Sequence, residues 1–372
     1  MTKQIILIGA GLSTQSLVPY LKSKLNEYDW HLKVLDRDFT TAAERLGKPN
    51  ERCVAGALDI SDTDALNNAL NGAHLVISMV PAHMHLNVAK ACLKHKSHLV
   101  TASYLTPEMR ELDQAAQDNG LVFLNECGLD PGIDHMSAAR LLDGIRNDGS
   151  EIVLFESFTG GLLSPESEGT NPWRYKFTWN PRNVVLAGQG SAACYREMNE
   201  LKYLPYHRLF QRLDKIQIEG YGEFEGYVNR DSLNYLETYH IQDIPTIFRG
   251  TLRRPPYCEA WDVFVQLGMT DDAYMMNGSA QLTPRQFLNA FLPFETGVSV
   301  EDKFLKLVGH RKDLFELFDF LGLFSDHEVF GIEKASPAML LQKILVEKWR
   351  LAPGDKDMIV MYHEIIYSKD NT

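Results

Sequence analysis

The residues best placed by type and spacing to do chemistry lie in the run Asn125-Glu126-Cys127-Gly128-Leu129-Asp130-Pro131-Gly132. It sets a carboxylate, Asp130, directly before a Pro-Gly that opens a helix. Asp130 there either caps that helix, a use worth about 1 kcal/mol, or faces a reacting ligand, and the two are compatible. Cys127 invites a thiolate-nucleophile reading, but no activating Cys–His pair is identifiable, so an inert thiol is expected. Tyr104, in Thr101-Ala102-Ser103-Tyr104, has a phenol that can hydrogen-bond a substrate or relay a proton, or simply pack with its hydroxyl in water. His83 and His85 are two residues apart and share no helix face. No carboxylate stands at ligand spacing, so they read as surface histidines and no metal site is expected. His135 reads as a packing or capping residue. Arg174, Arg182, Arg230, Arg249, Arg253 and Arg254 gather in the second half of the chain. The usual fate of one arginine is solvated surface. Several near aromatic residues would instead suit a polycarboxylate, because the guanidinium fork matches carboxylate geometry.

These groups need elements to hold them. Ile5-Ile6-Leu7-Ile8 runs straight into Gly9-Ala10-Gly11-Leu12-Ser13-Thr14. A buried strand, a glycine turn and a helix form the front of a dinucleotide-binding unit, with the pyrophosphate at the helix N-terminus. Thr14 stands where the fingerprint has its third glycine. A second strand, Leu32-Lys33-Val34-Leu35, ends at Asp36. A carboxylate there accepts ribose hydroxyls and repels a 2′-phosphate, so NAD is expected, with NADP as the alternative that the neighbouring Arg37 could favour. Further strands are read at about 51–56, 74–80, 97–101 and 121–125, with amphipathic stretches between them. Such alternation implies a parallel sheet with right-handed crossovers, whose ligands bind beyond the carboxyl ends of the strands. That rule brings Gly9–Ser13, Asp36, Asp59, Ser78–Pro81, Thr101–Tyr104 and Asn125–Gly132 to one edge.

A chain of 372 residues exceeds one ordinary core. The expected fold class is α/β, a Rossmann-type doubly wound parallel sheet at 1–132 followed by a second α+β domain at 133–350 for substrate and dimerisation. Residues 351–372 read as a returning segment: Met358–Tyr367 is a strand that runs into hairpin-turn chemistry at Ser368-Lys369-Asp370-Asn371, as if a partner strand were to follow. Hydrophobic content of 45% with 23% charged residues is that of a soluble globular protein, and no apolar run is long enough to span a bilayer. A strand so close to Met1 leaves little room for a leader, so a cytoplasmic address is expected. The five scattered cysteines and the charge of −12 point away from disulfides, nucleic acid and anionic membranes.

On these motifs the chain resembles the glutamate-forming saccharopine dehydrogenases, also called saccharopine reductases. The resemblance rests on Gly9-Ala10-Gly11, Leu58-Asp59-Ile60, Ser78-Met79-Val80-Pro81, Thr101-Ala102-Ser103-Tyr104 and Glu126 to His135. It continues through Gly160-Gly161-Leu162, Asn171-Pro172, Tyr175-Lys176-Phe177-Thr178-Trp179, Asn229-Arg230-Asp231-Ser232 and Arg249-Gly250-Thr251-Leu252. It implies reversible, pyridine-nucleotide-dependent oxidation of saccharopine at its carbon–nitrogen bond. The imine is then hydrolysed to L-glutamate and 2-aminoadipate 6-semialdehyde. Carried over by motif, Ser103, Tyr104 and Asp130 line the substrate, with Tyr104 and Asp130 organising proton transfers. Arg230, Arg249, Thr251 and Arg253 hold its carboxylates. Cofactor contacts are accordingly expected at Gly9, Gly11, Leu12, Ser13, Asp36, Arg37, Asp59, Ile60, Val80, Leu129 and Asp130. The expected partner is a small polycarboxylate amino acid, and the expected assembly a homodimer. Thr159 precedes Gly160-Gly161 where some members carry cysteine, which removes a thiol relay. The alternatives are a carboxynorspermidine-type imine reductase and a non-catalytic NAD(H)-binding partner or sensor.

Overall fold

The computed structural model describes residues 2–369, and the chain divides into two units, Met1–Ser137 and Ala138–Thr372. In the first, β1 (Lys3–Ile8), β2 (Trp30–Asp36), β3 (Cys53–Ala57), β4 (Leu75–Ser78), β5 (His98–Thr101) and β6 (Phe123–Leu124) form one sheet in the order β3-β2-β1-β4-β5-β6. Every pairing is parallel. The order reverses between β1 and β4, the switch point at which such sheets bind ligands.

The strands are apolar on both faces because helices cover both. Ile5 and Leu7 join Leu32, Val34 and Ile77 in one core cluster, while Ile6 and Ile8 join Val76 and Leu99 in the other. Neighbouring residues of a strand point to opposite faces, so continuous Ile-Ile-Leu-Ile is what a doubly covered strand requires. The six strands expected from the sequence are all present.

In the second unit, β7 (Glu151–Leu163), β8 (Ala193–Glu197), β9 (Glu200–Leu204), β10 (Asp214–Ile218), β11 (Gly222–Val228), β12 (Thr246–Arg253) and β13 (Asp357–Ser368) form a mixed sheet. Its path is β10-β11-β12-β7-β13, with β8 pairing β12 and β9. β12 runs parallel to β7, and β13 runs antiparallel to β7 along its length. Helices Tyr257–Leu267, Lys312–Phe320 and Pro337–Lys348 contribute to a core centred on Trp173, Trp261 and Trp349, all essentially inaccessible. The turn expected after β13 includes Asp370 and Asn371, which lie outside the described residues.

Candidate functional site

The glycine turn has the form a nucleotide needs. Gly9 has φ +95°, and a Cβ there would stand 2.6 Å from the Met79 carbonyl oxygen, so a side chain is excluded. Gly11 is exposed with open space where a Cβ would be, which leaves its backbone approachable by a phosphate. Thr14 is buried, and its hydroxyl donates to the Gly11 carbonyl at 2.8 Å, so it braces the turn from inside. Leu12 and Ser13 are exposed beside it.

Asp36 closes over this turn. One carboxylate oxygen accepts the Ala10 N–H at 2.8 Å and the other the Asp38 N–H at 3.1 Å. Its local, strand-end role is therefore present, with further lone pairs on each oxygen still able to accept. Arg37 and Asp59 are both exposed. Asp59 accepts from the Ser61 hydroxyl and N–H, which, with a contribution from Arg37, hold its carboxyl below the usual range. Ile60 is buried in the core, Val80 is half-buried after β4, and Leu129 is exposed.

Ser103, Tyr104 and Asp130 meet at the carboxyl edge of β5. The Tyr104 hydroxyl donates to Asp130 Oδ1 at 2.5 Å, a charge-assisted geometry. At the helix opening, the Gly132 N–H goes to the Asp134 carboxylate, the Ile133 N–H to the Gly128 carbonyl and the Asp134 N–H to the Leu129 carbonyl. Those three donors are met by groups other than the Asp130 side chain. Glu126 accepts the Leu105 N–H and lies 3.6 Å from His135 Nε2. The exposed Cys127 thiol is pushed up by partial burial and by Glu126, the opposite of an activated nucleophile. A recess of about 290 Å³ opens here, lined by Ala82, His85, Tyr104, Thr106 and Asn125 among others.

One expectation is overturned. His85 is 4% exposed, not a surface residue, whereas His83 is exposed. The one-turn 3₁₀ helix Ala82–Met84 carries His85 inward. Its ring bridges Ser78 Oγ, 2.9 Å from Nδ1, and Ser103 Oγ, 2.7 Å from Nε2. The signal available in the sequence was the pair of hydroxyl residues, Ser78 and Thr101, each ending a strand directly after two apolar residues, Val76-Ile77 and Leu99-Val100.

In the second unit, Arg249, Thr251 and Arg253 alternate along β12 and so share one face. Their register partners on β7 are Ser157 beside Arg249 and Thr159 beside Thr251, which makes that face polar. Arg249, Arg253 and the adjacent Arg254 are each 4% exposed, so the solvated-surface reading fails for all three. The Arg253 guanidinium lies over Tyr175, Tyr227 and Tyr257 at 5.3, 5.9 and 5.3 Å. It donates to the Leu252 carbonyl, and among the described residues it forms no ion pair. Glu225, opposite it on β11, instead accepts the Cys258 N–H. Arg249 stacks at 3.9 Å over Tyr235. Arg174 and Arg182 are paired with Glu168 and Asp272. Arg230 is exposed, with φ 54°. Sequence reasoning missed the three tyrosines around Arg253, which come from well-separated segments. Among the described residues no group of three His, Cys, Asp or Glu could hold a metal ion, and no helix is long and apolar enough to cross a membrane.

A family model described as "Saccharopine dehydrogenase NADP binding domain" matches residues 5–124, and "Saccharopine dehydrogenase C-terminal domain" matches 128–372. The chain is 33% identical over 381 residues to the rat "Alpha-aminoadipic semialdehyde synthase, mitochondrial", covering 96% of itself but 39% of that relative. It is 32% identical over 371 residues to the saccharopine dehydrogenase (NADP(+), L-glutamate-forming) of Schizosaccharomyces pombe, covering 97% of itself and 80% of that protein. The solved apo saccharopine dehydrogenase (L-Glu forming) of Saccharomyces cerevisiae matches with a TM-score of 0.83 at 29% identity, over 99% of this chain and 86% of that one.

Proposed function

The chain belongs to the saccharopine dehydrogenase family, and on that premise we propose that it interconverts saccharopine with L-glutamate and 2-aminoadipate 6-semialdehyde, using a pyridine nucleotide. The observation that carries the reading is the buried Arg253 guanidinium, which has no counter-ion among the described residues. Burying a cation unpaired is costly, and a substrate bearing three carboxylates supplies the missing charge. A nicotinamide nucleotide fits the Gly9–Ser13 turn and supplies the hydride acceptor.

The residues themselves handle protons and charge. Hydride leaves the saccharopine carbon only after the secondary ammonium beside it has lost its proton. Asp130, which accepts the Tyr104 hydroxyl at 2.5 Å, is the acceptor for that proton. With Tyr104 it then orients the water that adds to the imine, and returns a proton to the departing amine. Thr159, buried on β7, carries no thiol that could act as a relay. Arg249, Thr251 and Arg253, with Arg230, hold carboxylates and fix the register of the substrate.

Asp36 supports NAD as the preferred nucleotide, although the yeast-type relatives are named for NADP(+). A carboxylate at the end of β2 repels a 2′-phosphate. A homodimer is supported by the β8–β9 hairpin, whose Met198, Leu201 and Tyr203 are 80, 54 and 66% exposed. A carboxylated polyamine would be net cationic and would bring fewer carboxylates than saccharopine to the arginines of β12.

The test is to follow nicotinamide reduction with saccharopine and either NAD or NADP. Faster reduction with NAD supports both the reaction and the role of Asp36. Reduction with NADP alone keeps the reaction and overturns Asp36 as the selector. Tight nucleotide binding without reduction overturns catalysis in favour of a binding protein.

A further inference from the structure

We infer that His85 is a positioning residue that fixes the tautomeric direction of a buried hydroxyl–imidazole–hydroxyl chain, so that Ser103 presents its O–H as a donor toward a carboxylate oxygen of the substrate. The inference rests on the saccharopine reading for the identity of that carboxylate, but not for the direction of the chain.

Ser78, the last residue of β4, is 0% exposed. Among the described residues its hydroxyl meets a single partner, His85 Nδ1 at 2.9 Å. A buried O–H left without an acceptor loses its full hydration, so Ser78 must donate to that nitrogen. Burial, with a smaller push from His83, lowers the His85 pKa to about 4, so the ring is neutral near pH 7. A neutral imidazole has one donor and one acceptor nitrogen. With Nδ1 accepting from Ser78, Nε2 carries the hydrogen, and it points at Ser103 Oγ, 2.7 Å away. Thr101 Oγ1 stands 3.4 and 3.2 Å from the two ring nitrogens. That near-equal spacing places it over the ring rather than along either nitrogen's lone pair.

Ser103 Oγ is thus an acceptor toward His85, and its own hydrogen has no acceptor among the described residues. The hydroxyl hydrogen is therefore available to an incoming oxygen. Ser103 is also held through its backbone: its N–H goes to Thr101 Oγ1 at 3.3 Å, and its carbonyl accepts the Glu126 N–H at 3.1 Å. Only rotation about its side-chain bonds remains, and the Nε2–H bond sets that. Tyr104, the next residue, carries the proton-handling phenol. A donor beside it that accepted instead would repel a carboxylate.

Two measurements test this. In protein labelled with 15N-histidine, the His85 signal, assigned by its loss in His85→Gln, should report a protonated Nε2 and a bare Nδ1 in the ligand-free protein. The opposite tautomer overturns the inference whatever the substrate is. In turnover, His85→Leu should raise the saccharopine KM about tenfold, the loss of one hydrogen bond to a charged group, with kcat and nucleotide Kd moving about twofold or less. Ser103→Ala should do the same, and the double variant should be no worse than either single one. His85→Gln, which keeps an N–H for Ser103, should recover most of the KM. Additive losses, or no recovery by Gln, overturn the inference. Should His85→Leu not fold, Ser78→Ala keeps the ring and removes only the hydroxyl that selects the tautomer. It should mix the two nitrogen signals and raise KM, and an unchanged tautomer there also overturns the inference. Wild-type protein that binds nucleotide yet does not turn over saccharopine refutes the proposed function and the carboxylate partner together, while the nitrogen signals still decide the tautomer.

Discussion

At the scale of single residues, the proposed proton-handling pair is Tyr104 and Asp130, joined by a 2.5 Å hydrogen bond. If Asp130 takes the proton of the substrate amine and Tyr104 tunes it, Asp130→Asn should lower kcat by about 10²-fold or more, the usual range for a lost general base. Tyr104→Phe should lower it less, by about tenfold on the same scale. Nucleotide Kd, read by fluorescence titration, should stay near that of the wild type in both. A variant whose kcat is intact while its nucleotide binding collapses would place the pair on the cofactor instead. Both residues were legible because each ends a segment that must reach the ligand edge of a parallel sheet. His85 was not, because spacing alone says which face of a continuous helix a residue occupies, and a 3₁₀ turn at Ala82–Met84 breaks that rule. The upward push on the Cys127 thiol agrees with the sequence, in which no activating histidine partner for that cysteine is identifiable.

Among elements, β1 to β6 were readable and β7 to β13 largely were not, and the cause is sequence distance. In the first unit each strand pairs with another after a short crossover, and both faces are covered, so continuous apolar runs mark the strands. In the second, β13 pairs with β7 across about two hundred residues, as Met361 opposite Thr159 illustrates, and no local pattern announces such a partner. β12 is the instructive case. Its alternation of arginine and threonine on one face with Phe248 and Leu252 on the other reads as a half-exposed strand, yet Arg249 and Arg253 are both buried. On the proposed reading, burying Arg253 with no ion pair among the described residues reserves it for a ligand at some cost in stability. Arg253→Met, which keeps length and fills space adaptably, should therefore raise the unfolding free energy by about 1–2 kcal/mol. The same change should raise the saccharopine KM by at least about tenfold, since a lost charge-assisted bond costs more than a neutral one. Urea unfolding and steady-state kinetics on one preparation check both signs. A loss of stability would mean that the tyrosine stack around Arg253, and not a ligand, is its main partner.

At the scale of the whole chain, the two units carry buried titratable groups that respond to pH in opposite directions. In the first unit, His85 has its folded pKa depressed to about 4 by burial and, less, by His83, and His74 is lowered as well, chiefly by burial. A depressed histidine contributes stability above its unfolded pKa near 6.5, and loses it as pH falls toward the folded value. In the second unit, Glu156 on β7 lies opposite Glu364 on β13. Burial first, then Asp214, Glu364 and Glu197, raise its pKa to about 7, with Arg212 opposing. Glu225 is raised too, chiefly by burial. A raised carboxyl contributes stability fully below its unfolded pKa near 4.5, and loses it as pH climbs through the folded value. Between pH 7 and pH 5 the first unit should thus lose about 1–2 kcal/mol through His85, while the second gains about 1 kcal/mol through Glu156 after allowance for its partial exposure. Each unit has its own core, so calorimetry at the two pH values should show the two transitions moving in opposite directions. Glu156→Gln should abolish the rise of one transition and leave the fall of the other. His85→Gln should do the converse. Parallel movement of both transitions in the wild type would mean that neither buried group governs its unit's response to acid.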